Sequence, residues 1–411
     1  MSDIGIREIG KVEVDASLPP QSIGKLATSL FYVHEDTPIE HLFNLFQDEG
    51  KNITAVGVVD DNLYGKGIIV RKELASLLSK PFGREVLRKR PVRKVITPTK
   101  SFLNTQHIFI VSDELDEEVK SGEEHNFLLV DKTGRFSGIF STQDLLIYLS
   151  NLTQNDITLA HSLQTRMVKE RLAVLTADLE IVGSSHTAKG VGGDFYSAKK
   201  ISNTKWVLSL CDVSGKGVAA SIVTAMLYGI LESYDFRYGL VEFVRKLNHS
   251  IFSTFNAEKY LTGIFMLFDE ESARLKILDM GHSFIALIRN GKLHTISTSA
   301  DNLPVGITPH IDPQMGAITM QRRDMVVLVT DGLTEQTNDL GIEYSMNRMH
   351  RIILTHQDES LEEIREYILE DFHSFKQDTP YHDDVTFMLI RYPDEEEFDE
   401  DFEWDKEGPS A

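Results

Sequence analysis

Three apolar runs in the second half of this chain begin or end on aspartate, and no other feature constrains the fold as tightly. Asp212 closes "WVLSLC", Asp331 follows "MVVLVT", and the pair Asp383-Asp384 precedes "VTFMLIR". Short apolar runs of this kind read as strands. In an antiparallel sheet, a strand that starts with Asp places it where its neighbour finishes, so carboxylates gather at one rim. A fourth candidate, Asp194, lies in "GVGGDFY", where two glycines let the backbone come close. Carboxylates gathered in this way disfavour one another's ionisation, and a hard divalent cation bound through oxygen ligands removes the conflict. Singly, an Asp that ends a strand before Gly is ordinary turn chemistry. Four in this arrangement point to a shared site.

The stretch "CDVSGKGVAA" (211–220) invites other readings, which its spacing rejects. A phosphate-binding loop needs G-x-x-x-x-G-K-[ST]; here Leu210 stands where the first Gly belongs and Gly217 where Ser or Thr belongs. A nucleophile elbow, G-x-S-x-G, fails at both "DVSGK" and "GHSFI". H-E-x-x-H fails because Pro38 occupies the second His position after His34-Glu35. Lys216 has no assigned role.

Composition sets the wider limits. The 411 residues predict two or three domains, at about 100 to 200 residues each. A balance of 42 Lys+Arg against 63 Asp+Glu, net −21, argues against a nucleic-acid partner. One cysteine excludes an internal disulfide framework and fits a reducing cytoplasm. No basic segment followed by an apolar stretch opens the chain, so no secretion signal is expected. No apolar run approaches the ~20 residues that span a bilayer, so no membrane association is expected.

Five segments emerge along the chain: a leader at 1–20, a repeated module at 21–150, a helical connector at 151–175, a strand-rich domain at 176–393, and an acidic tail at 394–411 expected to be disordered. The module reads helix, strand, strand, helix twice over. "PIEHLFNLFQDEG" sets Ile39, Leu42, Phe43 and Phe46 on one helical face, and "DKTGR" is a hairpin turn around Gly134. In the connector, Ala160, Leu163 and Met167 define the expected apolar face of an amphipathic helix. Beyond it, Asn290-Gly291 marks a tight hairpin, and "VAASIVTAMLYGIL", apolar nearly all round, predicts a buried helix. Strands and helices do not alternate strictly, so the class is α+β, with a sandwich favoured over a doubly wound sheet.

In this order, "VGGDFY", "CDVSGKGVAAS", Gly281-His282, "LPVGI", "VTDGLTE" and "HDDVTFMLIR" resemble the PPM-type metal-dependent Ser/Thr protein phosphatases, in the bacterial SpoIIE/RsbU-like branch. The resemblance covers about 176 to 393 and implies a β-sandwich flanked by helices and two Mn²⁺ or Mg²⁺ ions. It further implies that Asp212 bridges both metals with help from the Val213 carbonyl, that Asp331 and Asp383 complete the coordination of the second metal, and that Asp194 holds metal-bound water. Asp384 is the second choice to Asp383 within the "DD" motif. Two departures concern the substrate contacts: Asp279 and Met280 stand where the family has Asn-Ala, and Ser197 where a second Asp often follows. His282 beside its glycine reads as structural.

The repeated module resembles a CBS-domain pair, α/β in class. "GIFSTQD" fits the family's ribose/phosphate signature with Gly138, Ser141 and Asp144, implying an adenine nucleotide as regulator. The first copy has Val70 and Glu73 at the corresponding positions. A helix cap with its box partner is the competing reading of Ser141 and Asp144. The phosphatase resemblance implies phosphoserine or phosphothreonine hydrolysis on a regulatory protein, with a STAS-type anti-anti-sigma factor the expected substrate, and a homodimer formed through the connector helix. The alternatives are a nucleotide-sensing binding protein with a degenerate phosphatase domain, and a metal-dependent nucleotide hydrolase or phosphodiesterase.

Overall fold

A computed structural model of the chain describes residues 9–13, 15–48, 53–188, 190–296 and 302–394. It divides into a unit at 1–155 and a unit at 156–411. Residues 1–8 and 14 of the expected leader and nearly all of the acidic tail (395–411) lie outside the described residues.

In the second unit, "MVVLV" and "VTFMLIR" are apolar on both faces because both faces of their sheet are covered. Alternate residues divide between two cores. Val326, Leu328, Met388 and Ile390 face a second sheet, meeting Leu208, Leu210, Phe265 and Ile277. Val327, Val329, Phe387 and Leu389 face helices Met346–Thr355 and Leu361–Lys376 through Met349, Ile353, Ile364, Ile368 and Phe372. The period of two along each strand therefore generates a layered sandwich. The covered sheet has six strands, with Val385–Arg391 paired between Met325–Val329 and Glu180–His186. The facing sheet has five, ordered Phe195–Lys200, Lys205–Val213, Leu261–Asp269, Arg274–Met280, Gly316–Thr319. Helices Val218–Ser233 and Leu240–Phe255 add Val223, Leu227, Phe243 and Leu247 to that core. The Asn290-Gly291 hairpin forms as expected, with φ of 52° and 67°.

Two expectations change here. Val218–Ser233 is not buried all round: Val218 and Ile222 are 51% and 50% exposed. The connector is a helix over Thr142–Met167, and Arg171–Leu175 is a strand at the edge of the six-stranded sheet. Its buried side is also rotated, with Gln164 inside and Leu163 49% exposed. Edge-strand residues alternate half-buried and exposed, which over five positions is easily taken for a helical pattern.

The first unit repeats one motif. Phe31–His34 lies parallel to Ala55–Val59, which turns back into Gly65–Val70; Ser101–Leu103, Asn126–Val130 and Phe136–Ser141 do the same. Both hairpins carry a register shift at the same place, at Val58/Val59 and Leu129/Val130. Ala55, Val59 and Ile68 of one copy pack on Leu128, Phe136 and Ile139 of the other. Among the described residues, no helix is long and apolar enough to cross a membrane.

Candidate metal centre

Strand register brings the aspartates together. Phe195 pairs with Cys211, so Asp194, one residue earlier, comes opposite Asp212. Val329 pairs with Phe387 on the other sheet, and the Thr330 amide donates to the Thr386 carbonyl at 2.9 Å, which leaves Asp331 beside the start of Val385–Arg391. Gly332 makes that approach feasible: a Cβ there would lie 2.0 Å from the Asp384 carbonyl oxygen and 3.0 Å from Asp383 Cβ. Thr330 Oγ1 then ties the sheets together by donating to Asp194 Oδ2 at 2.8 Å.

The charges on this rim strain against one another. Burial, then Asp331, Asp383 and Asp384, pushes the Asp212 carboxyl up to about 7. Burial, then Asp212 and Asp384, holds the Asp194 carboxyl far above the usual carboxylate range, and a side-chain hydrogen bond joins it to Asp212. Among the described residues, no three His, Cys, Asp or Glu side chains converge as they stand on one ion-sized point. One carboxylate takes a cation from the chain instead: Asp383 Oδ2 lies 2.8 Å from Lys216 Nζ. The donors, all carboxylate oxygens with a main-chain carbonyl beside them, have the chemistry that Mg²⁺ or Mn²⁺ takes.

The two members of the Asp pair have different surroundings. Asp384 is buried and satisfied by backbone, accepting from Ala188 N–H at 2.8 Å and Gly193 N–H at 2.6 Å. Asp383 has a side chain 36% exposed and faces the Lys216 turn. Asp384 thus holds the loop before Asp194. Gln164 grips the same loop, accepting from Gly192 N–H at 2.9 Å and donating to its carbonyl at 2.7 Å. Gly193 lies so close to Val213 that a Cβ would stand 3.0 Å from its carbonyl oxygen. Gly215 and Gly217, with φ of 80° and 78°, turn the chain sharply after the Asp212–Val213 strand end.

Neighbouring groups are tied into the fold by hydrogen bonds. His282 is buried and kept neutral by burial, and its Nε2 meets the Val329 carbonyl at 2.9 Å. Asp279 Oδ1 accepts from the His282 amide at 2.9 Å, and Ser197 pairs with Ser209 across the sheet at 2.8 Å. Burial pushes the Cys211 thiol well up, with Asp194 and Asp212 adding to it, so it is no nucleophile. Thr330, Gly332 and Gln164 escaped the sequence reading. Gly332 was visible in "TDG", whereas Gln164 left no signal, since a polar residue in a polar helix looks solvated.

In the first unit, Ser141 and Asp144 cap a helix reciprocally. Asp144 Oδ2 accepts from the Ser141 amide at 2.8 Å and hydroxyl at 2.7 Å, and the Asp144 amide donates to Ser141 Oγ at 3.1 Å. Thr28 adds a hydroxyl to Asp144 Oδ2 at 2.9 Å, as Thr97 does to Glu73 at 2.8 Å in the other copy. Gly138 lies where a Cβ would stand 2.9 Å from Ala27 Cβ.

The family model for stage II sporulation protein E (SpoIIE) matches residues 202–393, which hold the Asp212, Asp331 and Asp383 strand ends. The C-terminal unit thus carries a SpoIIE-type domain and is similar to the SpoIIE/RsbU-like branch of the PPM phosphatases. A CBS domain model matches residues 23–80, the copy with Val70 and Glu73. The chain is 21% identical over 246 residues to phosphoserine phosphatase RsbP of Bacillus subtilis (strain 168), covering 58% of each protein. It is 23% identical over 242 residues to phosphoserine phosphatase RsbU of the same organism, covering 58% of this chain and 70% of that one. The chain thus spans less than two thirds of RsbP. The SiaA-PP2C domain of Pseudomonas aeruginosa superimposes with a TM-score of 0.50 at 15% identity, over 59% of this chain and 98% of that domain, a likeness of fold.

Proposed function

We propose that this chain is a metal-dependent protein phosphatase that hydrolyses phosphoserine or phosphothreonine on a regulatory protein. The observation that carries the proposal is the rim of Asp194, Asp212, Asp331 and Asp383, where burial and neighbouring carboxylates raise the Asp194 and Asp212 carboxyls well above the usual range. Asp212 would be shared between two Mn²⁺ or Mg²⁺ ions with the Val213 carbonyl beside it, and Asp331 and Asp383 would serve the second. When bound, such ions supply Lewis acidity that acidifies water and neutralises charge developing on a phosphoryl group. The chain itself fixes the carboxylates. Asp384 and Gln164 hold the loop before Asp194, Thr330 orients Asp194, and Gly332 lets Asp331 approach Asp383. The decisive experiment is Mn²⁺-dependent turnover of a phosphopeptide, with EDTA and Asp212→Asn as controls. Metal-independent turnover, or full activity in the variant, defeats the mechanism.

The phosphoserine phosphatase names of RsbP and RsbU support a phosphoprotein substrate, and we take a STAS-type anti-anti-sigma factor as the first to test. The front CBS module would bind an adenine nucleotide and bias the activity, with typical couplings of about 1 to 3 kcal/mol. Calorimetry with AMP, ADP and ATP tests this, and absence of binding removes it. Leu159 and Leu163, exposed one turn apart on Thr142–Met167, support a homodimer through that helix. Light scattering of Leu159→Glu/Leu163→Glu, with loss of a dimer expected, checks it.

A further inference from the structure

Lys216 stands between the two positive-φ glycines of the turn that leaves the Asp212 strand. Its ammonium lies 2.8 Å from Asp383 Oδ2 and donates to the His382 carbonyl. Both sides of this contact are braced. On the turn, Ser214 N–H donates to the Tyr260 carbonyl at 2.8 Å, Tyr260 N–H to Ser214 Oγ at 3.1 Å, and Lys259 Nζ to the Ser214 carbonyl at 2.8 Å. Opposite, the buried Gln336 accepts from His382 N–H at 3.0 Å and donates to the Pro380 carbonyl at 3.1 Å. Among the described residues, Asp383 alone of the four candidate ligands pairs with a lysine ammonium.

We propose that Lys216 is a resident counter-ion of Asp383, which a divalent ion must displace to use that carboxylate. The inference rests on reading the rim as a metal centre. It follows from geometry and charge: an ammonium and a divalent ion compete for the same carboxylate oxygens, and a fixed positive charge opposes a second cation arriving beside it. The pair is accessible enough for exchange, with side chains 36% and 38% exposed. Lys216 acts through Asp383 and is a positioning residue, one that weakens and thereby selects occupancy at this corner of the rim.

The test uses the full chain and reads Mn²⁺ binding directly, by calorimetry and by the melting-temperature shift on Mn²⁺ addition. Lys216→Met is expected to bind Mn²⁺ roughly three- to tenfold more tightly, the size expected for removing a half-exposed ion pair and one nearby charge. Lys216→Arg, which keeps the charge, is expected to retain wild-type affinity. Lys216→Gln keeps a donor for the His382 carbonyl and is expected to follow the Met variant, which separates loss of charge from damage to the turn. Unchanged or weaker binding in both neutral variants overturns the counter-ion role while leaving the metal centre standing. Absence of Mn²⁺ binding by wild type overturns both.

Discussion

Replacing Asp212 by Asn should stabilise the metal-free protein while abolishing its activity. Holding a carboxyl at about 7 instead of near 4 opposes its ionisation in the folded state by roughly 4 kcal/mol. The sign follows from linkage. The unfolded chain loses this proton near pH 4 and the folded chain near 7, so stability drains away across that window and stays low above it. Asn carries no charge and nearly matches Asp in shape. Relaxation and water entry reduce the full figure, so at pH 8 in EDTA the variant should exceed wild type by about 2 to 4 kcal/mol. For a unit of this size that is a rise of roughly 5 to 10 °C in melting temperature. Calorimetric melts at half-unit steps from pH 4 to 8 read the difference, which should be near zero at pH 4 and grow to pH 7. Mn²⁺ should raise the wild-type melting temperature and leave the variant unmoved. A difference that is flat with pH, or a wild type more stable than the variant at pH 8 in EDTA, refutes the reasoning.

Gly332→Ala should cost about 1 to 3 kcal/mol and weaken Mn²⁺ binding by at least tenfold, since its methyl must displace backbone at Asp384; denaturant melts and calorimetry check both. His350 is buried, kept neutral by burial, with neither ring nitrogen hydrogen-bonded among the described residues. His350→Leu should gain about 1 to 2 kcal/mol at neutral pH. Because the folded His resists protonation, the gain should widen as pH falls below about 6.5, as urea melts at pH 5.5 and 7.5 would read. Ser141→Ala should cost the first unit about 1 kcal/mol through its lost cap while leaving nucleotide affinity unchanged, which calorimetry with ATP would check.

The strand runs Met325–Val329 and Val385–Arg391 were legible because a strand covered on both faces is apolar at every position. The rim was legible because antiparallel register alone decides which strand ends meet, and no side-chain detail enters. What escaped depended on partners distant in sequence. Gln164 is buried because a loop 28 residues away offers both an amide and a carbonyl, which no helical periodicity encodes. Leu163 was assigned to the wrong face for the same reason. Val218 and Ile222 gave Val218–Ser233 an apolar outline on every side, yet burial is set by what packs against a helix, and its partners cover one face. The choice between Asp383 and Asp384 likewise turns on two amides at 188 and 193.

The strand that carries Asp383 and Asp384 inserts between Met325–Val329 and Glu180–His186, joining residues as distant as Arg391 and Glu180, 211 positions apart. During synthesis, everything from Glu180 to Val329 is made before the strand that closes the sheet. Until then two strand edges stay open, and the loop before Asp194 lacks the carboxylate that fixes it. The Asp194–Asp212 pairing lies within the five-stranded sheet, but Asp383 joins the rim only when the last strand closes the six-stranded one, so the full set of carboxylates assembles with that closure.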